Sequence, residues 1–292
     1  MSLLKNNNKE NLSIVILCAG KGTRLKKIIK KIPKPLIKVG RLNDISILQQ
    51  TINNLINCEI TSIAIVIGYL GNVISEFISR LIKNHPRLRD KLIIIDTENQ
   101  YKLGPLYSLL SITKNKNFFV KNKNYIIIPG DTIFDYKILK EIIRIISNNF
   151  SLIQKNPFIF YRNIVLRQLK EIYNKKKIIS YAEIEIFQSE IILKRISQKR
   201  VGDIDSKKVV NQIIPIIVLN YDIIHEILNF EQKDQIETVW EVLNYITLNG
   251  KKVLCFEVNN ELYFYDIDTK DDLKKQKKKE KDNRCSDYSK NN

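Results

Sequence analysis

The sequence has few of the features that mark several common classes of protein. It contains only four cysteines: Cys18, Cys58, Cys255 and Cys285. Their spacing is neither paired nor typical of metal ligands, so we expect no disulfide framework, no zinc site and a reducing, cytoplasmic compartment. No apolar run approaches the roughly 18 residues of a membrane-spanning helix, and residues 1–9 are polar rather than signal-like. The sequence contains no serine–histidine or cysteine–histidine arrangement that would indicate a covalent nucleophile.

The net charge of +18 suggests a polyanionic partner, but most of this charge is scattered along the chain. Lysines are interspersed with isoleucine and asparagine, and the arginine–aromatic interleaving that stacks nucleic-acid bases is absent, so no specific nucleic-acid partner is expected. The tail at 274–284 differs, with seven basic and two acidic residues. It predicts a solvated extension, with weak docking to an anionic membrane as the functional alternative.

Apolar strand-like runs alternate with helix-like runs up to residue 149. The runs are Ile14–Leu17, Ile45–Asn57, Ile63–Ile67, Val73–Ile82, Leu92–Ile95, Leu106–Thr113, Tyr125–Ile128 and Tyr136–Ile146. This alternation predicts βαβ units and a largely parallel sheet covered on both faces. Beyond it, Ile178–Phe187 and Ile191–Ile196 indicate a strand pair, and Val209–Leu219 a further strand. We predict an α/β fold with one domain at 12–273, between extensions at 1–11 and 274–292.

The segment Ile14–Leu25, followed by Pro33-Lys-Pro-Leu36, is the most informative part of the chain. A β-branched strand ends in Ala19-Gly-Lys-Gly22, which predicts a glycine loop at the carboxyl edge of a sheet. Glycines there let main-chain N–H groups approach a phosphate closely, and nearby lysines and arginine add positive charge. The spacing fits neither a P-loop nor the dinucleotide fingerprint. A plain strand-to-helix turn followed by a lysine-rich loop remains the alternative.

Asp131 follows a second buried strand, in Tyr125-Ile-Ile-Ile-Pro-Gly-Asp131. Ligands of open α/β sheets bind beyond the carboxyl ends of the strands, so Asp131 should lie near the glycine loop. Mg2+ needs one or two carboxylates together with phosphate oxygens. The alternative for Asp131 is a turn or a helix cap, a role that suits Asp135 better because it directly precedes a helical pattern.

Further carboxylates lie in Tyr265–Leu273. Asp266 and Asp268 are predicted to end a strand and to point to one side of it. Thr269 and Asp272 resemble a capping box that starts a helix, so helix capping and metal binding both remain open for Asp268. Asp266 precedes the cap, and the capping explanation leaves it without a role, which favours Asp266 as a metal ligand.

These motifs resemble those of the nucleotidyltransferases that activate sugar phosphates and polyol phosphates. Gly20-Lys-Gly-Thr-Arg-Leu25 with Pro33-Lys-Pro-Leu36 is similar to the family signature, and Pro129-Gly-Asp131 to its Mg2+-binding Gly-Asp. Tyr265–Leu273 resembles an Asp-x-Asp-Thr-x-Asp element of the cytidylyltransferase branch, and Leu103–Leu110 a segment of inositol-1-phosphate cytidylyltransferases. The resemblance implies a Rossmann-like three-layer sandwich with a mixed, mostly parallel sheet, the nucleotide-diphospho-sugar transferase fold.

The resemblance also implies a reaction in which a phosphomonoester oxygen attacks the α-phosphate of a nucleoside triphosphate and expels pyrophosphate. Arg24 would stabilise the pyrophosphate, Lys34 the charge on the α-phosphate, and Asp131 would hold the metal with Asp266 and Asp268. The implied nucleotide contacts are Cys18, Ala19, Gly20, Lys21, Gly22, Thr23, Arg24, Lys34, Gly104 and Ser108.

Some positions depart from the family pattern or fit it in two ways. Pro105 replaces a small polar residue, and Asn211–Leu219 lacks the glycine that many members place against a sugar, which counts against a sugar substrate. Lys199, in Ile196-Ser-Gln-Lys199, falls where family members often carry a Glu-Lys pair near the acceptor phosphate, and an exposed strand-end lysine is the equal alternative.

Three functions remain open from the sequence. The first is a CTP-dependent cytidylyltransferase acting on a polyol phosphate such as inositol 1-phosphate. The second is a sugar-1-phosphate nucleotidyltransferase that uses UTP, dTTP or GTP. The third is a non-catalytic regulatory protein with the same fold, and the joint presence of Arg24, Lys34, Asp131 and Asp266 argues against it.

Overall fold

The computed structural model describes residues 10–23, 31–39, 45–204, 208–230, 236–259, 261–269 and 272. Arg24, residues 1–9 and the basic tail at 274–292 lie outside these ranges, so the predictions made for them stay predictions. In the part of the chain that is described, no helix is both long enough and apolar enough to cross a membrane.

The described residues form thirteen strands and eight α-helices. The strands are β1 (Leu12–Leu17), β2 (Lys38–Val39), β3 (Ile45–Ser46), β4 (Ile63–Ile67), β5 (Leu92–Asp96), β6 (Asn124–Pro129), β7 (Thr132–Phe134), β8 (Phe158–Val165), β9 (Ile178–Phe187), β10 (Glu190–Arg200), β11 (Val209–Asn220), β12 (Leu254–Glu257) and β13 (Phe264–Asp266). The helices are α1 (Ile47–Asn57), α2 (Gly71–Asn84), α3 (Pro105–Leu110), α4 (Tyr136–Asn148), α5 (Phe150–Ile153), α6 (Leu166–Ile172), α7 (Tyr221–Phe230) and α8 (Val239–Leu248).

Nine of the strands form one sheet in the order β5-β4-β1-β6-β11-β8-β12-β10-β9. The first four are parallel, as the alternating pattern predicts. In the pairing of β1 with β6, Leu17 lies opposite Pro129, so the two strands end side by side. The glycine loop after β1 and Asp131 after β6 are therefore placed at the same edge of the sheet.

The other half of the sheet is mixed. The strand β11 is antiparallel to β6 and β8, β12 is parallel to β8, and β10 is antiparallel to β12 and β9. Seven of the nine strands of this sheet therefore run in one direction and only β10 and β11 run against them, so the α/β class and the mixed sheet are confirmed. The predicted strand pair is found as β9–β10. The strand β8 was not predicted, because Arg162 and Asn163 interrupt its apolar run.

Apolar clusters cover both faces of the sheet because neighbouring side chains of a strand point in opposite directions. In β1, Ile14 and Ile16 belong to a cluster shared with α1, α2 and α4, whereas Val15 faces a cluster shared with α3, α7 and α8. A smaller cluster lies beneath the two-stranded ribbon formed by β7 and β13, and includes Ile133 and Tyr265. Asp266 is the last residue of this ribbon, Asp131 directly precedes β7 in the sequence, and Asp268 lies two residues beyond β13.

Candidate active site

A cavity of about 400 Å3 lies beyond the carboxyl ends of β1 and β6. Every residue predicted to contact a nucleotide lines it, except Thr23 and except Arg24, which is outside the described residues. Tyr101 also lines the cavity, and the Lys21 ammonium lies 5.9 Å from the centroid of its ring. Tyr101 was not predicted from the sequence, because nothing in its local pattern distinguishes it from a packing residue.

Two glycines bring the backbone into close contact at this edge. Gly22 has a φ of +57°, and a Cβ built on it would lie 2.9 Å from Cγ of Lys34. At Gly130, a Cβ would lie 2.5 Å from the Cys18 sulfur, and the Gly130 N–H donates to the carbonyl of Leu17 at 2.9 Å. Glycine is therefore favoured at position 22 by conformation and space, and it is required at position 130 by space alone.

Lys34 joins two of the predicted metal ligands. Its ammonium donates to Asp131 Oδ2 at 3.1 Å and to Asp268 Oδ1 at 3.0 Å. Burial lowers the pKa of Lys34, but the charges of Asp131 and Asp268 and their hydrogen bonds outweigh it and raise the pKa overall. Lys34 is therefore a positively charged group between two carboxylates, at the wall of the cavity.

Lys177 is a second cation of the site, and it was not predicted from the sequence. Its side chain is only 6% exposed, and its ammonium lies 2.7 Å from Asp268 Oδ2 and 3.9 Å from Asp266 Oδ2. Burial raises the pKa of Asp268, but the charges and hydrogen bonds of Lys177 and Lys34 outweigh this effect and lower the pKa to about 2. In the sequence Lys177 is the last of three consecutive lysines, and nothing in that run indicates which of the three is buried.

Asp266 has different surroundings from Asp268. It is the last residue of β13, and its Oδ1 accepts a hydrogen bond from the Thr132 hydroxyl at 2.6 Å. Burial raises the pKa of Asp266, and the opposing effects of Lys177 and Thr132 do not restore it. Asp268 lies two residues beyond the strand, where Lys34 links it to Asp131. The geometry therefore brings Asp131 and Asp268 around one cation, with Asp266 next to them.

The hydrogen bonds of the predicted caps are confirmed, whereas the helix predicted to follow Thr269 lies, apart from Asp272, outside the described residues. Thr269 and Asp272 bond reciprocally, with the Thr269 N–H 2.7 Å from Asp272 Oδ2 and the Asp272 N–H 3.2 Å from Thr269 Oγ1. The Asp268 N–H also donates to Asp272, whereas both Asp268 carboxylate oxygens face lysines. Asp135 caps α4 by accepting from the Lys137 N–H at 2.8 Å. The Asp268 carboxylate thus contacts Lys34 and Lys177.

The carboxylates fit a magnesium ion that is shared with a substrate. No three carboxylate, thiol or imidazole groups of the described residues form a ready-made cage. Mg2+ does not need one, because it binds through one or two carboxylates and takes water and phosphate oxygens as its other ligands. The side chains of Asp131 and Asp268 are 36% and 25% exposed, which leaves both accessible.

Lys199 lies apart from this group of charges. It is exposed near the end of β10, opposite Ile179, and it is not among the residues that line the cavity. Its assignment to the acceptor phosphate stays a prediction.

The sequence of this region matches a known family. Residues 13–155 match the model of the nucleotidyl transferase family. A D-glycero-alpha-D-manno-heptose 1-phosphate guanylyltransferase of Campylobacter jejuni is 32% identical over 129 residues, which cover 44% of this chain and 52% of that protein. A 2-aminoethylphosphonate cytidylyltransferase of Lancefieldella rimae is 37% identical over 70 residues, 24% of this chain and 27% of that protein. The chain thus spans about half or less of the length of these relatives.

The fold extends the similarity beyond the matched region. The structure of the inositol-1-phosphate CTP transferase from T. maritima superposes with a TM-score of 0.62, covering 93% of this chain and 96% of that one. The two sequences are 16% identical, so the likeness is one of fold. The resemblance to nucleotidyltransferases that the motifs indicate is confirmed.

Proposed function

We propose that the protein is a nucleotidyltransferase that joins a nucleoside triphosphate to a small phosphomonoester and releases pyrophosphate. One observation supports this most strongly: the glycine loop, Lys34 and Asp131 line a single cavity at the carboxyl edge of the parallel strands, and Lys34 also bonds Asp268. A strand-end glycine loop is where backbone N–H groups receive phosphates.

The chemistry requires positioning and charge neutralisation rather than a covalent intermediate. An oxygen of the acceptor phosphate forms a bond to the α-phosphorus, the bond from that phosphorus to the bridging oxygen breaks, and the pyrophosphate leaves with the bond electrons. Residues Gly20 to Gly22 would bind the nucleotide through the backbone. Lys34 would stabilise negative charge on the α-phosphate, and Arg24 the departing pyrophosphate.

The carboxylates Asp131, Asp266 and Asp268 would hold Mg2+, which when bound supplies positive charge to the phosphates. We favour Asp131 and Asp268 as the direct ligands, because the Lys34 ammonium bonds one oxygen of each and so brings the two carboxylates together around a positive charge. Lys177 keeps Asp268 ionised and fixes its direction. This modifies the preference for Asp266 drawn from the sequence, and comparing Asp266→Asn with Asp268→Asn in Mg2+ titrations tests it.

For the substrates we favour CTP and a polyol phosphate such as inositol 1-phosphate. The support is the resemblance of Leu103–Leu110 and Tyr265–Leu273 to segments of cytidylyltransferases, together with the fold shared with an inositol-1-phosphate CTP transferase. A sugar 1-phosphate with GTP, UTP or dTTP is the second candidate. It is favoured by the similarity to a heptose 1-phosphate guanylyltransferase.

A pyrophosphate-release screen separates these candidates. CTP, UTP, GTP and dTTP are each combined with inositol 1-phosphate, phosphocholine, glycerol 3-phosphate and a hexose 1-phosphate in the presence of Mg2+. Asp131→Asn serves as the inactive control. Turnover confined to CTP and a polyol phosphate supports the first proposal, and turnover confined to a sugar 1-phosphate the second. Nucleotide binding without release in any combination would favour a non-catalytic protein.

A further inference from the structure

The strand that ends at Asp266 does not belong to the main sheet. The strand β13 pairs only with β7 among the described strands, through Phe264, Tyr265 and Asp266. A two-stranded ribbon of this length is not stable in isolation. Its position relative to the cavity must therefore depend on contacts with the main sheet.

Arg162, on β8 of the main sheet, makes such contacts. The residue is 2% exposed, and its Nη1 donates to the carbonyl oxygen of Leu262 at 3.0 Å. Its guanidinium carbon lies 4.6 Å from the centroid of the Phe264 ring. Leu262 precedes β13 and Phe264 begins it. One guanidinium group therefore holds both the backbone that enters the strand and the strand's first side chain.

The other side of the guanidinium is fixed to the main sheet. Nε and Nη2 donate to Oε1 of Gln212 at 2.9 and 2.8 Å, and Gln212 lies directly opposite Arg162 in the pairing of β8 with β11. These acceptors are an amide and a carbonyl, and although the charge of Asp266 acts on Arg162, none of these hydrogen bonds is to a carboxylate that would form an ion pair with it. Burying such a group is costly. Its planar set of donors can, however, bond two acceptors and cover a ring at the same time.

We propose that Arg162 is a positioning residue that holds β13 so that Asp266 and Asp268 face the divalent ion. The inference rests on the proposed function, because it concerns the metal of that reaction. Arg162 itself touches neither carboxylate through a hydrogen bond in the described structure. It acts through the strand. Outer-shell groups of metal sites typically change metal affinity by about 10- to 100-fold when they are removed.

Two variants test this role. Arg162→Lys keeps the charge but not the planar donors. The double variant Arg162→Met with Gln212→Leu removes both partners of the buried bond, which avoids the penalty of leaving one of them unpaired. The control is Tyr125→Phe. It removes a buried hydroxyl that donates to the carbonyl of Phe118 at 3.2 Å, near the opposite end of β6.

The measurement is Mn2+ binding without nucleotide, followed by the electron paramagnetic resonance signal of free Mn2+, with near-ultraviolet circular dichroism to establish folding. We expect the folded Arg162 variants to bind Mn2+ about 10-fold or more weakly than the wild type. They should also need more Mg2+ for half-maximal turnover, with kcat at saturating Mg2+ little changed. Tyr125→Phe should bind as the wild type does.

Wild-type Mn2+ affinity in a folded Arg162 variant would overturn the positioning role and leave the proposed function intact. An equal loss of affinity in Tyr125→Phe would show that the effect is general destabilisation, and would also overturn it. If the wild type bound no Mn2+ in an Asp131-dependent way, the metal site on which both proposals depend would be refuted.

Discussion

Replacing Gly22 by alanine should destabilise the protein, because the added Cβ would clash with the side chain of Lys34. A Cβ on Gly22 would lie 2.9 Å from Cγ of Lys34 and 3.3 Å from its Cδ and Cε. Gly22 also has a φ of +57°. The left-handed conformation costs a residue with a Cβ about 1–2 kcal/mol, and forcing atoms into an occupied space costs roughly 1–3 kcal/mol more.

A double-mutant cycle separates these two costs. The three nearest atoms to the added Cβ all belong to the Lys34 side chain, so truncation of Lys34 to alanine removes the clash but not the backbone strain. The cost of Gly22→Ala in urea unfolding should therefore fall by about 1–3 kcal/mol when Lys34→Ala is already present. Gly20→Ala is the matched control in the same loop. A Cβ there would meet nothing within 4 Å, so its cost should stay within about 0.5 kcal/mol.

The clash should also displace the Lys34 side chain and so reduce catalysis, because Lys34 holds Asp131 and Asp268 together. Turnover per folded molecule should fall in Gly22→Ala. Additive free energies in the cycle, to within about 0.5 kcal/mol, would show that the side chain of Lys34 does not pack on Gly22. That result would refute the geometry on which the reasoning depends.

Three further predictions concern the carboxylates and their partners. Lys34→Ala should lower the single-turnover rate more than nucleotide affinity, since its charge is assigned to the transition state; lost binding with an unchanged rate at saturation would contradict this. Asp131→Asn should reduce Mg2+-dependent turnover by about 100-fold or more at unchanged circular dichroism, and near-normal turnover would exclude it as a ligand. Thr269→Ala should cost about 0.5–2 kcal/mol of unfolding free energy through the lost cap, with turnover per folded molecule retained. A larger effect on turnover than on stability would give Thr269 a direct role.

Some of the site could be predicted from the sequence because its signals are local. The end of β1 in a glycine loop and the end of β6 before Asp131 follow from apolar runs that stop at glycine. Parallel pairing then places both at one edge of the sheet. The caps formed by Asp135 and by Thr269 with Asp272 are likewise contained within a few residues. Such features depend on neighbours in the chain and need no knowledge of the fold.

Only the tertiary structure decided which charges meet. Lys34 and Asp268 are 234 residues apart in the sequence, and Lys177 and Asp268 are 91 apart. A lysine or arginine is buried only where distant segments supply its acceptors, so no local pattern separates Lys177 from the lysines before it, or identifies Arg162 as a residue of the core. The sequence by itself determined the kinds of group at the sheet edge. The long-range pairing of β7 with β13 and of β8 with β11 determined which of these groups lie close together.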